Sequence, residues 1–144
     1  MQISTKGRYA IRSLTHLAYS FIKNNNNPVT IKEISEKEKL SNRYMENIFV
    51  KLRKAGIVTS LKGEKGGFYL TREPSKITLY EILKTAEKHF SPSACVSNKK
   101  YCNRVSFCGI RKIWQKLDDK IKEFLEQTTL KDVMDLHFSE KNNR

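Results

Sequence analysis

The feature that most constrains this chain is a run of three signals between Thr30 and Leu70: two short helical segments close together, then two β-prone runs around a glycine-rich basic turn. Thr30 followed by Glu33 is a capping box, in which side chain and backbone satisfy each other's free groups, and it opens a short helix through about Lys39. Ser41 caps the next, which carries Met45, Ile48, Phe49 and Leu52 at i, i+3, i+4 and i+7. Gly56 stands where a helix-ending glycine is usual. Ile57–Leu61 and Phe68–Thr71 then flank Lys62-Gly-Glu-Lys-Gly-Gly, which predicts a β-hairpin. Helix, turn, helix and hairpin in that order is the pattern of a winged helix-turn-helix.

The remaining segments read as helical. Ala10, Leu14, Leu17, Ala18 and Phe21 form a stripe that predicts a helix over 8–23, ended by Asn24–Asn27 and Pro28, a run most simply read as a solvated loop. Leu79, Ile82, Leu83 and Ala86 predict a helix from Thr78 to about His89. Residues 90–109 lack periodicity and read as a loop. Ile110, Ile113, Trp114, Leu117, Ile121, Phe124 and Leu125 mark a long helix over about 110–127, and Thr129–Phe138 a short last one. The expected fold is mostly α with a small β-hairpin wing: a winged helix-turn-helix over 1–76, then a helix, a cysteine loop and a long C-terminal dimerisation helix over 77–138, and a polar tail over 139–144. A stripe as long as that of 110–125 can pack within one chain. A short chain has little else to bury it against, which favours a homodimer.

Charge narrows the partner. The 144 residues hold 28 Lys and Arg against 15 Asp and Glu, a net charge of +13, which points to a polyanion and first to nucleic acid. No apolar run is long enough to cross a membrane, and the N-terminal residues lack an apolar signal core, so the expectation is a cytoplasmic protein without a membrane partner. On the second helix of the pair, Ser41, Asn42, Arg43 and Tyr44 sit where free N–H groups and the helix dipole favour phosphate. Arg43, Glu46, Asn47, Lys51 and Lys54 lie off the apolar stripe; Arg43 suits a guanine edge and Glu46 a cytosine amino group. Lys62, Gly63, Lys65 and Gly66 form the wing, where glycine lets backbone approach a duplex. Any single one of these charges can equally be an ordinary solvated one. The turn is not a nucleotide-binding loop, since it lacks the Gly-Lys-Ser/Thr ending. No Cys–His pair close in sequence and no nucleophile elbow is present, so an enzyme is not expected.

Cys95, Cys102 and Cys108 fall in a stretch between Glu87 and Asp118 that has no acidic residue but holds Lys88, Lys99, Lys100, Arg104, Arg111, Lys112 and Lys116. Thiolates are the natural ligands of an iron–sulfur cluster, and basic surroundings offset the negative charge of a thiolate-bound one. Zinc is disfavoured by the lack of a closely spaced cysteine pair. Three unrelated structural cysteines remain an alternative.

With these motifs in hand, the chain resembles the Rrf2 family of bacterial transcription regulators over residues 1 to about 136. The resemblance is carried by Ile3-Ser-Thr-Lys-Gly-Arg-Tyr-Ala, Ser41-Asn-Arg-Tyr-Met-Glu-Asn-Ile-Phe, Leu52-Arg-Lys-Ala-Gly-Ile-Val, Lys62-Gly, Gly66-Gly67 and Thr128-Thr-Leu-Lys-Asp-Val. It implies a homodimer on a near-palindromic double-stranded DNA operator, joined through the long helix. Within it, Glu46 would read sequence and Lys62, at a position often Arg, would insert from the wing. It also implies an iron–sulfur cluster on Cys95, Cys102 and Cys108, with 2Fe-2S favoured over 4Fe-4S. The family's fourth ligands do not carry over. One branch has a His three residues after the last cysteine, here Arg111; another has an acidic residue near the N-terminus, here Arg8. Arginine cannot substitute, because its guanidinium stays protonated. His89, His16, His137 and Glu87 are the candidates within the chain, and an external ligand or a three-cysteine site is equally open. The other form the resemblance allows is a cluster-free regulator that responds through thiol oxidation or a protein partner.

Overall fold

A computed structural model describes residues 2–143. Helix α1 (Thr5–Lys23) begins three residues before the expected start at residue 8, because the Ser4 hydroxyl accepts the Gly7 N–H and caps it. Helices α2 (Ile31–Glu38) and α3 (Asn42–Lys54) follow, and the Thr30–Glu33 capping box and the Ser41 cap both form. Lys39 takes a left-handed conformation between them, which turns the chain within a few residues. Strands β1 (Val58–Leu61) and β2 (Gly67–Leu70) pair antiparallel, Val58 opposite Leu70 and Leu61 opposite Gly67. After a 3-10 turn at Pro74–Lys76 come α4 (Leu79–Ala86), a single turn α5 (Ala94–Ser97), α6 (Gly109–Gln127) and α7 (Leu130–Asn142). The pattern of helices around one two-stranded hairpin is the one the sequence predicts. Besides the earlier start of α1, three details differ. Helix α4 stops at Ala86 rather than near His89, a turn of helix stands inside the 90–109 loop, and α7 runs on through Ser139–Asn142, helped by a second capping box between Thr129 and Asp132.

The core is the stripe of α1, with Ala10, Leu14, Leu17 and Ala18 at most 1% exposed, surrounded by Ile34, Met45, Phe49, Leu52, Ile57, Leu70, Ile82 and Leu130. Burial of this kind, roughly 1.5–3 kcal/mol for each large aliphatic side chain, is what orders so short a chain. Helix α7 packs back on α1. The α6–α7 junction is also tied to the start of α4, where the Leu79 N–H donates to the Thr128 carbonyl (2.9 Å) and the Leu130 N–H to the Ile77 carbonyl (2.8 Å). The C-terminal helices are thereby bound to the helix-turn-helix unit.

The asparagine run proves to be structural. Asn25 and Asn26 adopt positive φ, which asparagine tolerates better than most residues, and the Asn26 amide donates to the Leu70 carbonyl (3.2 Å). That clasp holds the turn after α1 against β2. Next to it, Val29 exchanges two backbone hydrogen bonds with Phe68, both 2.8 Å, and so anchors the base of the wing. Gly67 sits at φ +145°, and a Cβ there would lie 2.7 Å from the Val29 carbonyl carbon and oxygen. Replacing Gly67 with Ala therefore strains the backbone and opens this bridge. The expected cost exceeds about 1 kcal/mol in urea unfolding; an unchanged midpoint would show that the wing is not anchored at this bridge.

Candidate nucleic-acid interface and cysteine pocket

Helix α3 buries Met45, Ile48, Phe49 and Leu52, which forces its other side outward. Ser41, Asn42, Arg43, Glu46 and Asn47 are exposed along that side, and Lys54 is exposed at its end. Val50 is 52% exposed among them, one turn on from Glu46. The apolar-stripe argument passed over it, although an exposed valine beside Glu46 and Asn47 suits a thymine methyl group. Its place off the stripe was the available signal.

Tyr44 and Lys51 lie at the edge of this surface and are half-buried. Together with Asn47 and Lys6 they border a small apolar pocket, which brings the N-terminal turn of α1 beside α3. Burial raises the Tyr44 phenol above its ordinary value, Tyr9 adds to the rise and Arg8 opposes it, so Tyr44 is a neutral O–H donor near pH 7. The Tyr9 ring stands edge-on to it at 6.2 Å. Lys6 was not singled out from sequence; only the folding of α1 against α3 places it here.

In the wing, Lys62, Gly63, Glu64 and Lys65 are exposed. The glycines have different reasons for being glycine. At Gly63 (φ +108°) a side chain would meet open space, whereas a Cβ on Gly66 would fall 2.2 Å from the Leu61 carbonyl oxygen. Close approach to a duplex is thus available at Gly63, while Gly66 and Gly67 serve the hairpin's own backbone.

The three cysteines, all half-buried and unpaired, line one pocket of about 150 Å³ together with Tyr101, Val105 and Arg111. Cys95 belongs to α5 and Cys108 caps α6, where the helix dipole favours a negatively charged ligand. The Arg104 N–H donates to the Cys102 sulfur (3.5 Å), and Arg111 donates from Nε to the Cys95 carbonyl (3.0 Å), closing the loop onto α6. Among the described residues no three His, Cys, Asp or Glu side chains are gathered closely enough to hold a metal ion. The donor set fits an iron–sulfur cluster in kind, three thiols on one pocket in a basic segment, and lacks a fourth protein ligand. Glu87 is engaged elsewhere, accepting the Ser4 N–H (2.8 Å) at the start of α1. His89 is exposed and outside the pocket, and His16 and His137 line a different groove.

The seven residues expected to form the long apolar stripe divide. Leu125 is buried and Ile121 half-buried, whereas Ile110, Ile113, Trp114, Leu117 and Phe124 are 40–66% exposed. Tyr101 and Phe107, in the loop ahead of α6, are 66% and 72% exposed. So many exposed large apolar side chains on one helix and the loop before it are uncommon on a protein that acts alone.

Comparison with known proteins agrees with this arrangement. Residues 3–136 match the Rrf2 family, described as an iron-dependent transcriptional regulator. The chain belongs to the Rrf2 family. It is 35% identical to the HTH-type transcriptional regulator CymR of Bacillus subtilis, covering 92% of this chain and 89% of that one. It is 31% identical to the HTH-type transcriptional regulator IscR of Vibrio campbellii, covering 93% and 77%. The solved structure of CymR, described as the global cysteine regulator of B. subtilis, superposes with a TM-score of 0.76 at 32% identity, covering 94% of this chain and 98% of that one. This Rrf2 chain is therefore a DNA-binding transcription regulator and not an enzyme. Among the described residues no helix is long and apolar enough to cross a membrane.

His16, rejected above as a cluster ligand, has a structural role. Its side chain is 9% exposed, and Nε2–H donates to Glu38 (2.8 Å), which also pairs with Arg12 (2.7 Å). Burial lowers the His16 pKa below its usual value of 6.5, against the raising effect of Glu38. The unfolded chain then binds the proton first, so stability is full above pH 6.5 and falls as pH drops through that value toward the lower folded pKa. Chemical denaturation between pH 8 and 5 should show this slope, and His16→Gln should flatten it; an equally steep slope in the variant would assign the loss to other groups.

Proposed function

We propose that this Rrf2 protein is a homodimeric cytoplasmic regulator that places α3 of each copy in successive major grooves of a near-palindromic operator, and that Cys95, Cys102 and Cys108 hold an iron–sulfur cluster. The observation that carries the sensor half is the convergence of all three cysteines on one pocket at the N-terminus of α6. When bound, such a cluster supplies a cross-link of the loop that depends on iron supply and redox state. Its two-iron form is the one we favour.

The chain does the rest. Arg43, Glu46 and Asn47 present donors and an acceptor to base edges, with Ser41, Asn42, Tyr44 and Lys51 on phosphates around them. Lys62, Gly63 and Lys65 carry the wing to the backbone or minor groove, and Gly66 shapes the turn that aims them. Ile110, Ile113, Trp114, Leu117 and Phe124 pack against the same face of a second copy, which extends the buried contacts of Ile121 and Leu125. Because Cys108 caps the helix that would form the dimer, a change at the cysteines reaches the spacing of the two recognition helices through α6.

A second reading has its own observation. Arg111, at the sequence position of one branch's fourth ligand, lines the cysteine pocket and cannot ligate, which favours a cluster-free regulator responding through its thiols or through a protein partner. Anaerobic protein separates the two. About two irons and matching sulfide per chain, with visible absorption lost in Cys102→Ala, support the cluster; a colourless chain that cannot be reconstituted rules it out.

The other parts of the proposal are tested separately. Light scattering should give twice the 16.8 kDa chain mass, falling to one chain when Ile113 and Trp114 are replaced with Glu. A wild-type chain that stays monomeric removes the dimer. On DNA, Glu46→Ala should relax discrimination at one base pair by about 1–3 kcal/mol, whereas Lys62→Ala should weaken all sequences alike and lower the salt slope by about 1. The reverse assignment of those two effects would overturn the roles given to helix and wing.

A further inference from the structure

A further cavity lies apart from both the DNA surface and the cysteine pocket. It is a groove of about 870 Å³ walled by α1, the asparagine turn, α2 and α7, within the size range of small-molecule sites. Its lining is built. Glu38 and His16, with side chains 6% and 9% exposed, form part of it, and Tyr19 and Phe138 make an aromatic shelf with ring centres 4.6 Å apart.

The charges on its walls do not balance. Arg12, Lys23, Lys37 and Lys141 face two carboxylates, Glu33 and Glu38. Both carboxylates are committed: Glu38 to Arg12 and His16, and Glu33 to the Thr30 N–H (2.7 Å) and hydroxyl in the cap of α2. Burial holds His16 toward its neutral form, so it adds little positive charge of its own. Lys23, Lys37 and Lys141, from three different walls, have no carboxylate partner among the described residues; Lys141 lies over the Phe138 ring at 5.6 Å.

We propose that the groove between α1, α2 and α7 is a binding site for a small organic anion, its carboxylate or phosphate held by Lys23, Lys37 and Lys141 and its apolar body on the Tyr19–Phe138 shelf. Three lysines on the walls of one groove supply the charge complement, and the aromatic shelf supplies an apolar contact that inorganic anions cannot use. The site has a route to DNA. Lys37 and Glu38 end α2, and Lys39 turns the chain directly into the Ser41 cap of α3, so an occupant that draws α2 toward α7 reorients the recognition helix. The inference is independent of the cysteines.

Calorimetric titration of the 144-residue chain with phenyl phosphate, benzoate and inorganic phosphate is the test. One saturable site per chain is expected for phenyl phosphate or benzoate, and the better of the two identifies the anionic group. Inorganic phosphate should bind about tenfold more weakly or not at all. Lys37→Gln with Lys141→Gln should weaken binding by about tenfold or more, whereas Lys99→Gln with Lys100→Gln, an equal loss of charge in the cysteine loop, should leave it unchanged. The proposal is overturned if no organic anion saturates, if inorganic phosphate binds as well, or if both pairs of substitutions weaken binding equally. The link to α3 is read from operator affinity. A shift caused by the organic anion should vanish in Lys37→Gln/Lys141→Gln, and a shift that persists there would place the anion on the DNA surface instead.

Discussion

Everything in this molecule hangs on the burial of one face of α1. Ala10, Leu14, Leu17 and Ala18 are all but inaccessible, and α2, α3, β2, α4 and α7 are laid against that helix. Small residues at Gly7, Ala10 and Ala18 let neighbours come close; at Gly7 a Cβ would fall 2.2 Å from the Glu87 carboxylate, which accepts the Ser4 N–H. The helix that touches no base thus sets the position of those that would. It brings Lys6 to the edge of α3, holds the wing through Asn26 and Val29, and forms one wall of the basic groove.

Local chemistry made much of this legible. The capping box at Thr30, the cap at Ser41 and the four apolar residues of α3 each act within a turn of helix, and each forms as the residues imply. Interactions between distant segments were not legible in the same way. Asn26 looked like solvent-facing turn chemistry, yet its amide closes on Leu70, forty-four residues away. Gly66 looked like a place for DNA to approach, yet it makes room for the Leu61 carbonyl. Spacing names the residue type a turn needs, but the partner that imposes the need comes from another part of the chain. The same limit hid Val50 and Lys6, whose interest lies in what stands next to them.

The cysteine segment joins two unsatisfied demands. Among the described residues its thiols share a pocket lined by no His, Asp or Glu, and the helix it caps exposes apolar side chains from Ile110 to Phe124. The proposed second copy would meet the second demand, since burying each of those side chains is worth roughly 1.5–3 kcal/mol. The first is not met in the same way, because the charged side chain of the lining is Arg111, which donates to the Cys95 carbonyl. A permanently charged guanidinium cannot ligate a metal, but it can neutralise an anion held by the thiols. The segment's freedom from acidic side chains acts in the same direction.

Two separate walls therefore lead to the recognition helix. The cysteine loop meets α6, whose far end is tied through Thr128 and Leu130 to the strand-like segment before α4, and α4 packs on α3. The basic groove meets α2, one turn of chain from the Ser41 cap. Neither route needs a flexible linker, because each passes through packed helices and backbone hydrogen bonds. A change at either end must then be taken up as a shift of a whole helix, since close-packed interiors do not deform continuously. In the proposed two-fold dimer any such shift would be doubled across the operator, where the separation of two α3 helices would have to match one turn of DNA, about 34 Å. A displacement too small to disturb the core is then enough to put both helices out of register.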